Sequence, residues 1–143
     1  MKVGVLLPSR FDDPGDFLAD ARAMEAAGVD SVWLDDDGGL DPIVMLAAIA
    51  TVTSELRLGL VHPPPPGKAL DTLQRLSRDR VIESSEGWRR VKAPPDRDDW
   101  ARTIQDAERE GVGVLVTMAP GLLDVLRHPQ DAIDRADVLL AQG

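Results

Sequence analysis

Three consecutive carboxylates, Asp35, Asp36 and Asp37, follow an apolar run that is predicted to be a strand. Clustered carboxylate oxygens suit hard divalent cations, so these residues could bind a metal ion or hold the cationic group of a substrate. The alternative is an acidic loop at the end of a strand that simply stays solvated. We favour the solvated loop, and the sequence predicts no metal site.

His62 is a second candidate, because an imidazole titrates near neutral pH and this one follows another strand-like run. The prolines beside it favour a surface position, as does Pro129 for His128, the other histidine. No serine, aspartate and histidine can be ordered into a catalytic triad from the sequence.

Arg89 and Arg90 could hold a phosphate, because guanidinium groups match phosphate oxygens, although two arginines in a loop are also ordinary surface charge. Pro120 and Gly121 are predicted to open a helix after a strand, where free backbone N–H groups could hold an anion. Every junction of this kind offers the same donors, so neither feature identifies a ligand.

Tryptophan could stack on a flat cofactor ring, and the chain has three: Trp33, Trp88 and Trp100. Trp33 lies within a predicted strand and Trp100 on the apolar face of a predicted helix, so both are predicted to belong to the core. Trp88 has no predicted place.

Alternating strands and helices must position these residues. Helices are indicated by apolar residues at helical spacing, with Asp41 and Asp96 as caps and Gly28 and Gly111 as stops. A last helix is predicted over 132–142. Strands are predicted over residues 3–7, 31–34, 56–61, 80–84 and 112–118, and 87–91 is ambiguous. The alternation predicts an α/β fold with a parallel sheet.

The chain has 143 residues and is predicted to form a single domain over residues 1–143. A closed eight-stranded barrel usually needs about 250 residues. About five strands therefore predict a partial (β/α) barrel, an open five-stranded sheet, or a barrel completed by a partner chain. The predicted second helix, from Ile43 to about Thr53, is apolar nearly all round, so we expect it to be buried against the sheet and against another helix or subunit.

Composition excludes several classes of function. The net charge is −9 and no basic stripe is present, which argues against binding to nucleic acid or to an anionic membrane surface. The absence of cysteine excludes disulfides, thiolate zinc sites and cysteine nucleophiles. No apolar run approaches the roughly 20 residues of a membrane span, and we expect a cytoplasmic protein.

Five segments resemble the bacterial-luciferase-like family of flavin-dependent oxidoreductases. Met1–Pro8 is similar to the family's opening strand, Ala21–Trp33 to its first helix and second strand, and Asp41–Ala50 to its second helix. Thr53–Gly59 resembles the turn into the third strand, and Leu73–Val81 resembles a segment often written leucine-x-x-leucine-serine-x-glycine-arginine. Order and spacing together carry the resemblance over about residues 1–81.

The resemblance implies an eight-stranded barrel that uses flavin mononucleotide (FMN) or a deazaflavin coenzyme at the carboxyl ends of its strands. It implies these cofactor-binding residues: Ser9, Asp36, Asp37, Val61 and His62. Two positions differ from the family pattern. Asp37 stands where many members have histidine, and Asp79 stands where glycine is usual.

The resemblance thus predicts a luciferase-like flavin- or deazaflavin-dependent oxidoreductase or monooxygenase homologue with a small-molecule ligand. The alternatives are a non-catalytic ligand-binding or partner subunit of the same lineage and an unrelated open-sheet protein. We expect a homodimer or a partner-completed barrel. Residues 82–143 are either a rewritten fourth and fifth unit or the far end of the barrel after an internal deletion.

Overall fold

The computed structural model describes residues 2–126, which form one sheet of parallel strands alternating with helices. The strands are β1 Val3–Leu6, β2 Ser31–Leu34, β3 Arg57–Leu60, β4 Val81–Ile82, β5 Trp88–Val91 and β6 Gly113–Thr117. The helices are α1 Pro14–Ala26, α2 Pro42–Val52, α3 Lys68–Ser77, α4 Arg97–Glu110 and α5 Leu122–Leu126. The predicted helix over 132–142 lies outside the described residues.

Local sequence signals set the ends of these helices. The side chain of Asp41 accepts hydrogen bonds from the first backbone N–H groups of α2, at 2.8 and 3.3 Å, and Pro42 takes the first helical position. Asp96 caps α4 in the same way. Gly111 ends α4 with a φ of 69°, a conformation that glycine adopts without a Cβ clash. The predicted caps and this stop are confirmed.

The strand order is β4-β3-β2-β1-β6-β5, and every neighbouring pair is parallel. The sheet is open between β4 and β5, so the predicted partial barrel is confirmed. Within residues 2–126 it has six strands rather than about five, because the ambiguous segment 87–91 forms β5. β4 is shorter than the predicted strand over 80–84.

The position of β6 bears on the origin of the second half of the chain. β6 pairs with β1 on the side opposite β2, as the last strand of a closed barrel would. Among the described strands, β4 and β5 alone are consecutive in the chain and unpaired, and Glu83–Gly87 joins them without a helix. This arrangement favours loss of internal units over a rewritten fourth and fifth unit.

The outer face of the sheet carries the main core. Side chains from α1 to α5 pack together with the outward side chains of the strands, such as Val5, Val32, Leu58 and Val114. These residues are removed from water almost completely, and their burial is the largest favourable contribution to folding.

The inner face carries a smaller apolar cluster, made by Leu6, Trp33, Val61 and Leu115 and covered by Ile82 and Trp88. The rings of Trp33 and Trp88 meet edge to face with centroids 4.9 Å apart, although β1 and β6 lie between their strands. The indole N–H of Trp33 donates to the hydroxyl of Ser31 at 2.8 Å. The sheet is therefore curled, and two indoles fill its concave side.

Candidate functional site

A cleft of about 550 Å³ lies at the carboxyl edge of β1, β2, β5 and β6. Its apolar wall includes Leu6, Leu7 and Pro8, and the turn after β6 closes one side. Asp35, Asp37 and Arg90 bring charge to it. The carboxyl edge is where barrel folds place their binding residues, because the loops that follow the strands converge there.

Ser9 and Asp37 form a joined pair at the rim of this cleft. Ser9 is buried and its hydroxyl donates to the Asp37 carboxylate, which also accepts the N–H of Gly39 at 3.1 Å. The Ser9 hydrogen bond, with that of Gly39, lowers the pKa of Asp37 below its ordinary value. The rim therefore carries a fixed negative charge at neutral pH.

Asp35 is the centre of a second group that joins three strands. One of its carboxylate oxygens lies 3.1 Å from Nδ1 of His62, which follows β3, and the other lies 3.8 Å from a guanidinium nitrogen of Arg90 on β5. Asp35 is 22% exposed, whereas His62 and Arg90 are 73% and 56% exposed. A shielded carboxylate thus orients the accessible imidazole of His62 and lies near the accessible guanidinium of Arg90.

A second cleft, of about 470 Å³, lies between the ends of β2 and β3 and the start of α2. Leu34, Leu60 and Ile43 give it apolar walls, and prolines 63–65 form its outer side. Asp36 and His62 are its polar members on the strand side.

The predicted site residues lie at one edge of the sheet but do not form one group. Ser9 and Asp37 belong to the rim of the first cleft, and Asp36 and His62 line the second. Val61 points into the inner apolar cluster instead. Cofactor binding by these five residues stays a prediction.

Other candidates from the sequence have separate outcomes. Within residues 2–126 no three carboxylate or imidazole groups are grouped as a metal ion would require. Arg89 pairs with Glu110 on α4, away from the cleft. Trp33 and Trp100 are buried as predicted. His128 lies outside the described residues.

The sequence did not indicate that Asp35 would meet both His62 and Arg90. Arg89 and Arg90 were expected together on a loop as possible phosphate ligands, and Asp35 was expected only to bind a metal ion or a substrate cation, or to stay solvated. The available signal was strand periodicity, since Trp88 and Arg90 are two residues apart and share the inner face of β5. Assigning 87–91 as a strand would have separated Arg90 from Arg89.

Comparison with known proteins gives a family match. The luciferase-like monooxygenase family matches residues 1–83, more than half of the chain. The crystal structure of monooxygenase RslO1 from Streptomyces bottropensis is similar at 20% identity with a TM-score of 0.49, covering 78% of this chain and 40% of that chain. The chain thus spans about 40% of the length of that monooxygenase. No curated protein matches the sequence. In the described part of the chain, no helix has the length and apolarity needed to cross a membrane. The match over residues 1–83 shows that the chain belongs to the luciferase-like monooxygenase family.

Proposed function

We propose that the chain binds a flavin-type cofactor, FMN or a deazaflavin, in the cleft at the carboxyl edge of the sheet, as a flavin-dependent oxidoreductase or monooxygenase homologue. The observation that carries this proposal is the combination, in one cleft, of an apolar wall and the guanidinium of Arg90. A bound flavin would supply the redox chemistry, and the chain would hold and orient it and exclude water.

The first cleft fits the ring of such a cofactor. Its volume of about 550 Å³ falls in the range of small-ligand sites, roughly 300–1,000 Å³. Leu6, Leu7, Pro8 and Met118 offer apolar surface to a flat ring. The interior of the sheet is filled by Trp33 and Trp88, so the ring would lie above these indoles rather than among them.

The guanidinium of Arg90 could bind the phosphate group of such a cofactor. Its distance of 3.8 Å to Asp35 is longer than a hydrogen bond, so the guanidinium can turn to an anion without breaking one. Asp35 and Asp37 oppose the same anion, because both carboxylates line the cleft. We therefore expect moderate affinity that depends on Arg90 and decreases as salt screens the guanidinium.

Titration with FMN, and separately with a deazaflavin coenzyme, tests the proposal by fluorescence. We expect saturable binding of one of them with a Kd on the order of micromolar. Arg90→Gln should weaken it about tenfold, because a charge-assisted contact is lost. The matched control is Arg89→Gln, whose side chain pairs with Glu110 outside the cleft. Absence of binding of either cofactor at high concentration would contradict a stand-alone redox enzyme.

The second candidate is a non-catalytic ligand-binding or partner subunit of the same lineage, favoured by the open edges of β4 and β5. An apolar groove between α1 and α2, with Phe11, Leu40 and Val44 exposed on it, suits association with a second copy. Sedimentation velocity separates the candidates. A dimer without flavin binding supports the subunit function, and a monomer that binds flavin supports the enzyme.

A further inference from the structure

We propose that His62, held by Asp35, is a proton-accepting site that acts on weakly acidic hydroxyl groups of small aromatic ligands, such as phenols. The site lies in the second cleft, between the ends of β2 and β3 and the start of α2. It stands apart from flavin binding in the first cleft, and neither Arg90 nor the cofactor is needed for the proton transfer.

The Asp35 carboxylate decides which nitrogen of His62 carries the proton. A carboxylate oxygen can only accept, so Nδ1, at 3.1 Å from it, must donate. The neutral imidazole then has its hydrogen on Nδ1 and a free lone pair on Nε2. Arg90 lies 3.8 Å from the other oxygen of Asp35, beyond hydrogen-bond distance, so it does not compete with His62 for this carboxylate.

The second cleft gives His62 a suitable neighbourhood. The imidazole is 73% exposed, so a ligand can reach its free nitrogen. Ile43 and the prolines at 63–65 supply apolar surface for an aromatic ring, and Leu34 and Leu60 lie buried behind it. The prolines at 63–65 restrict the backbone beside His62, so less conformational freedom is lost when a ligand orders this segment.

Charge selects the protonation state in which a ligand enters. Asp36 and Asp41 also line the second cleft, so a ligand that arrives as an anion is repelled. A neutral phenol is not. After it binds, its O–H bond breaks, the proton moves to Nε2 of His62, and the electron pair stays on the phenolate oxygen. The imidazolium that forms lies against Asp35, which stabilises it, and its positive charge beside the phenolate offsets the repulsion from Asp36 and Asp41.

The tautomer of His62 is the first test. The sequence has two histidines, so a long-range proton–nitrogen NMR spectrum contains two imidazoles, and His62→Gln identifies the signal of His62. At mildly alkaline pH we expect the proton of His62 on Nδ1, and we expect it to shift towards Nε2 in Asp35→Ala. A wild-type His62 with its proton on Nε2 would overturn the proposal.

Ionisation of 4-nitrophenol is the second test, because its phenolate absorbs visible light and its neutral form does not. Near neutral pH, wild-type protein should raise the phenolate absorbance of this probe saturably. His62→Gln should abolish the rise, and Asp35→Ala should reduce it by a factor of about 2–5, because the ion pair that stabilises the imidazolium is an exposed one. His128→Gln is the matched control and should behave as wild type.

An absent or unsaturable rise, or a rise that His62→Gln retains, would overturn the proposal. Far-UV circular dichroism of each variant confirms that a loss does not come from unfolding, and the exposure of His62 makes its substitution structurally mild. Arg90→Gln distinguishes this site from the proposed flavin site. It should weaken flavin binding while leaving phenol ionisation in place.

Discussion

Three glycines determine how closely the two inner tryptophans lie on the sheet. A Cβ at Gly4 or Gly59 would overlap the ring of Trp33, and a Cβ at Gly113 would overlap the ring of Trp88. The burial of Trp33 could be predicted from its strand, but its glycine partners could not. They sit on neighbouring strands, and the sequence does not reveal the register between strands.

Gly59→Ala should lower the free energy of unfolding by about 1–3 kcal/mol, because the added methyl group forces the Trp33 ring to move. Urea denaturation measures this change. Gly15→Ala is the control, since a Cβ there makes ordinary contacts at 3.5 Å or more. Combining Gly59→Ala with Trp33→Leu should cost less than the sum of the single changes. Additive losses would contradict direct overlap.

Asp79 occupies a backbone conformation that suits glycine. Its φ is 63°, and the corresponding position in the resembling family segment is usually glycine. Asp79→Gly should raise the free energy of unfolding by up to about 1 kcal/mol, because glycine has no Cβ to clash with the backbone in the left-handed conformation. Asp79→Ala should lower it instead. Thermal unfolding of the two variants gives the sign, and a loss of stability in Asp79→Gly would contradict the argument.

Local and distant interactions at the residue scale differ in how far the sequence predicts them. Asp41 and Asp96 cap helices that begin beside them, so a few residues of sequence are sufficient to predict their role. Asp35, His62 and Arg90 come together from three strands, and β1 and β6 separate two of these. Their meeting depends on the curl of the sheet, which no local pattern encodes.

The turn between α2 and β3 is held by two charged side chains from other elements. The Glu25 carboxylate accepts the backbone N–H groups of Ser54, Glu55 and Leu56, at 2.8–3.3 Å. The Arg80 guanidinium donates to backbone carbonyl oxygens of the same turn and of the end of α2. The backbone groups between the end of α2 and the start of β3 therefore have hydrogen-bond partners. This turn lies at the amino edge of the sheet, opposite the clefts.

Glu25→Gln should lower the free energy of unfolding by about 1–2 kcal/mol near pH 7, because a charged acceptor of several N–H groups is lost. Burial raises the pKa of Glu25, but the N–H groups of Leu56, Glu55 and Ser54, with the Arg80 charge, outweigh it and lower the pKa below 4.5. The folded pKa is therefore lower than the unfolded one. The carboxylate stabilises the fold fully above about pH 4.5 and loses this effect as the pH falls through the folded pKa.

Urea denaturation of wild type and Glu25→Gln across this pH range measures the effect. The difference between them should shrink on acidification below about pH 4.5. Glu55→Gln lies in the same turn, is exposed, and serves as the control with little expected change. A difference that grows as the pH falls would contradict the assigned sign.

Strand β5 shows why one element escaped prediction. Apolar runs mark β1, β2, β3 and β6 because both of their faces are buried. β5 is an edge strand with two arginines, one paired with α4 and the other turned to the cleft. An edge strand is partly exposed, so its sequence does not contain a continuous run of apolar residues. Its contacts with neighbouring elements nevertheless fix its extended conformation as firmly as those of the other strands do.

The whole molecule joins a family-matched first part to a second part that completes its sheet. The match ends at residue 83, at the segment where β4 passes to β5 without a helix. β6 nevertheless pairs with β1 over four residues, and Trp88 covers Trp33. The family could be recognised from the first 81 residues. The sequence could not show that the first part needs the second to complete its sheet, because this depends on strand pairing between residues far apart in the chain.

A chain of residues 1–83 alone should therefore not reach the folded state, although it contains the family match. It would leave the free edge of β1 unpaired and remove Trp88, Leu115 and the outer cover given by Val114 and Trp100. An exposed apolar edge strand of this kind favours aggregation or a loose collapsed state.

Trp33 is the single tryptophan of this fragment, so its emission reports its environment directly. We expect red-shifted emission and no cooperative urea transition, against blue-shifted emission and a cooperative transition in the full chain. Adding residues 84–143 as a separate chain should shift the emission back to the blue, because the missing strands can pair with β1 in trans. Cooperative unfolding of the fragment by itself would show instead that β1 to β4 and their helices form a complete core without the second part of the chain.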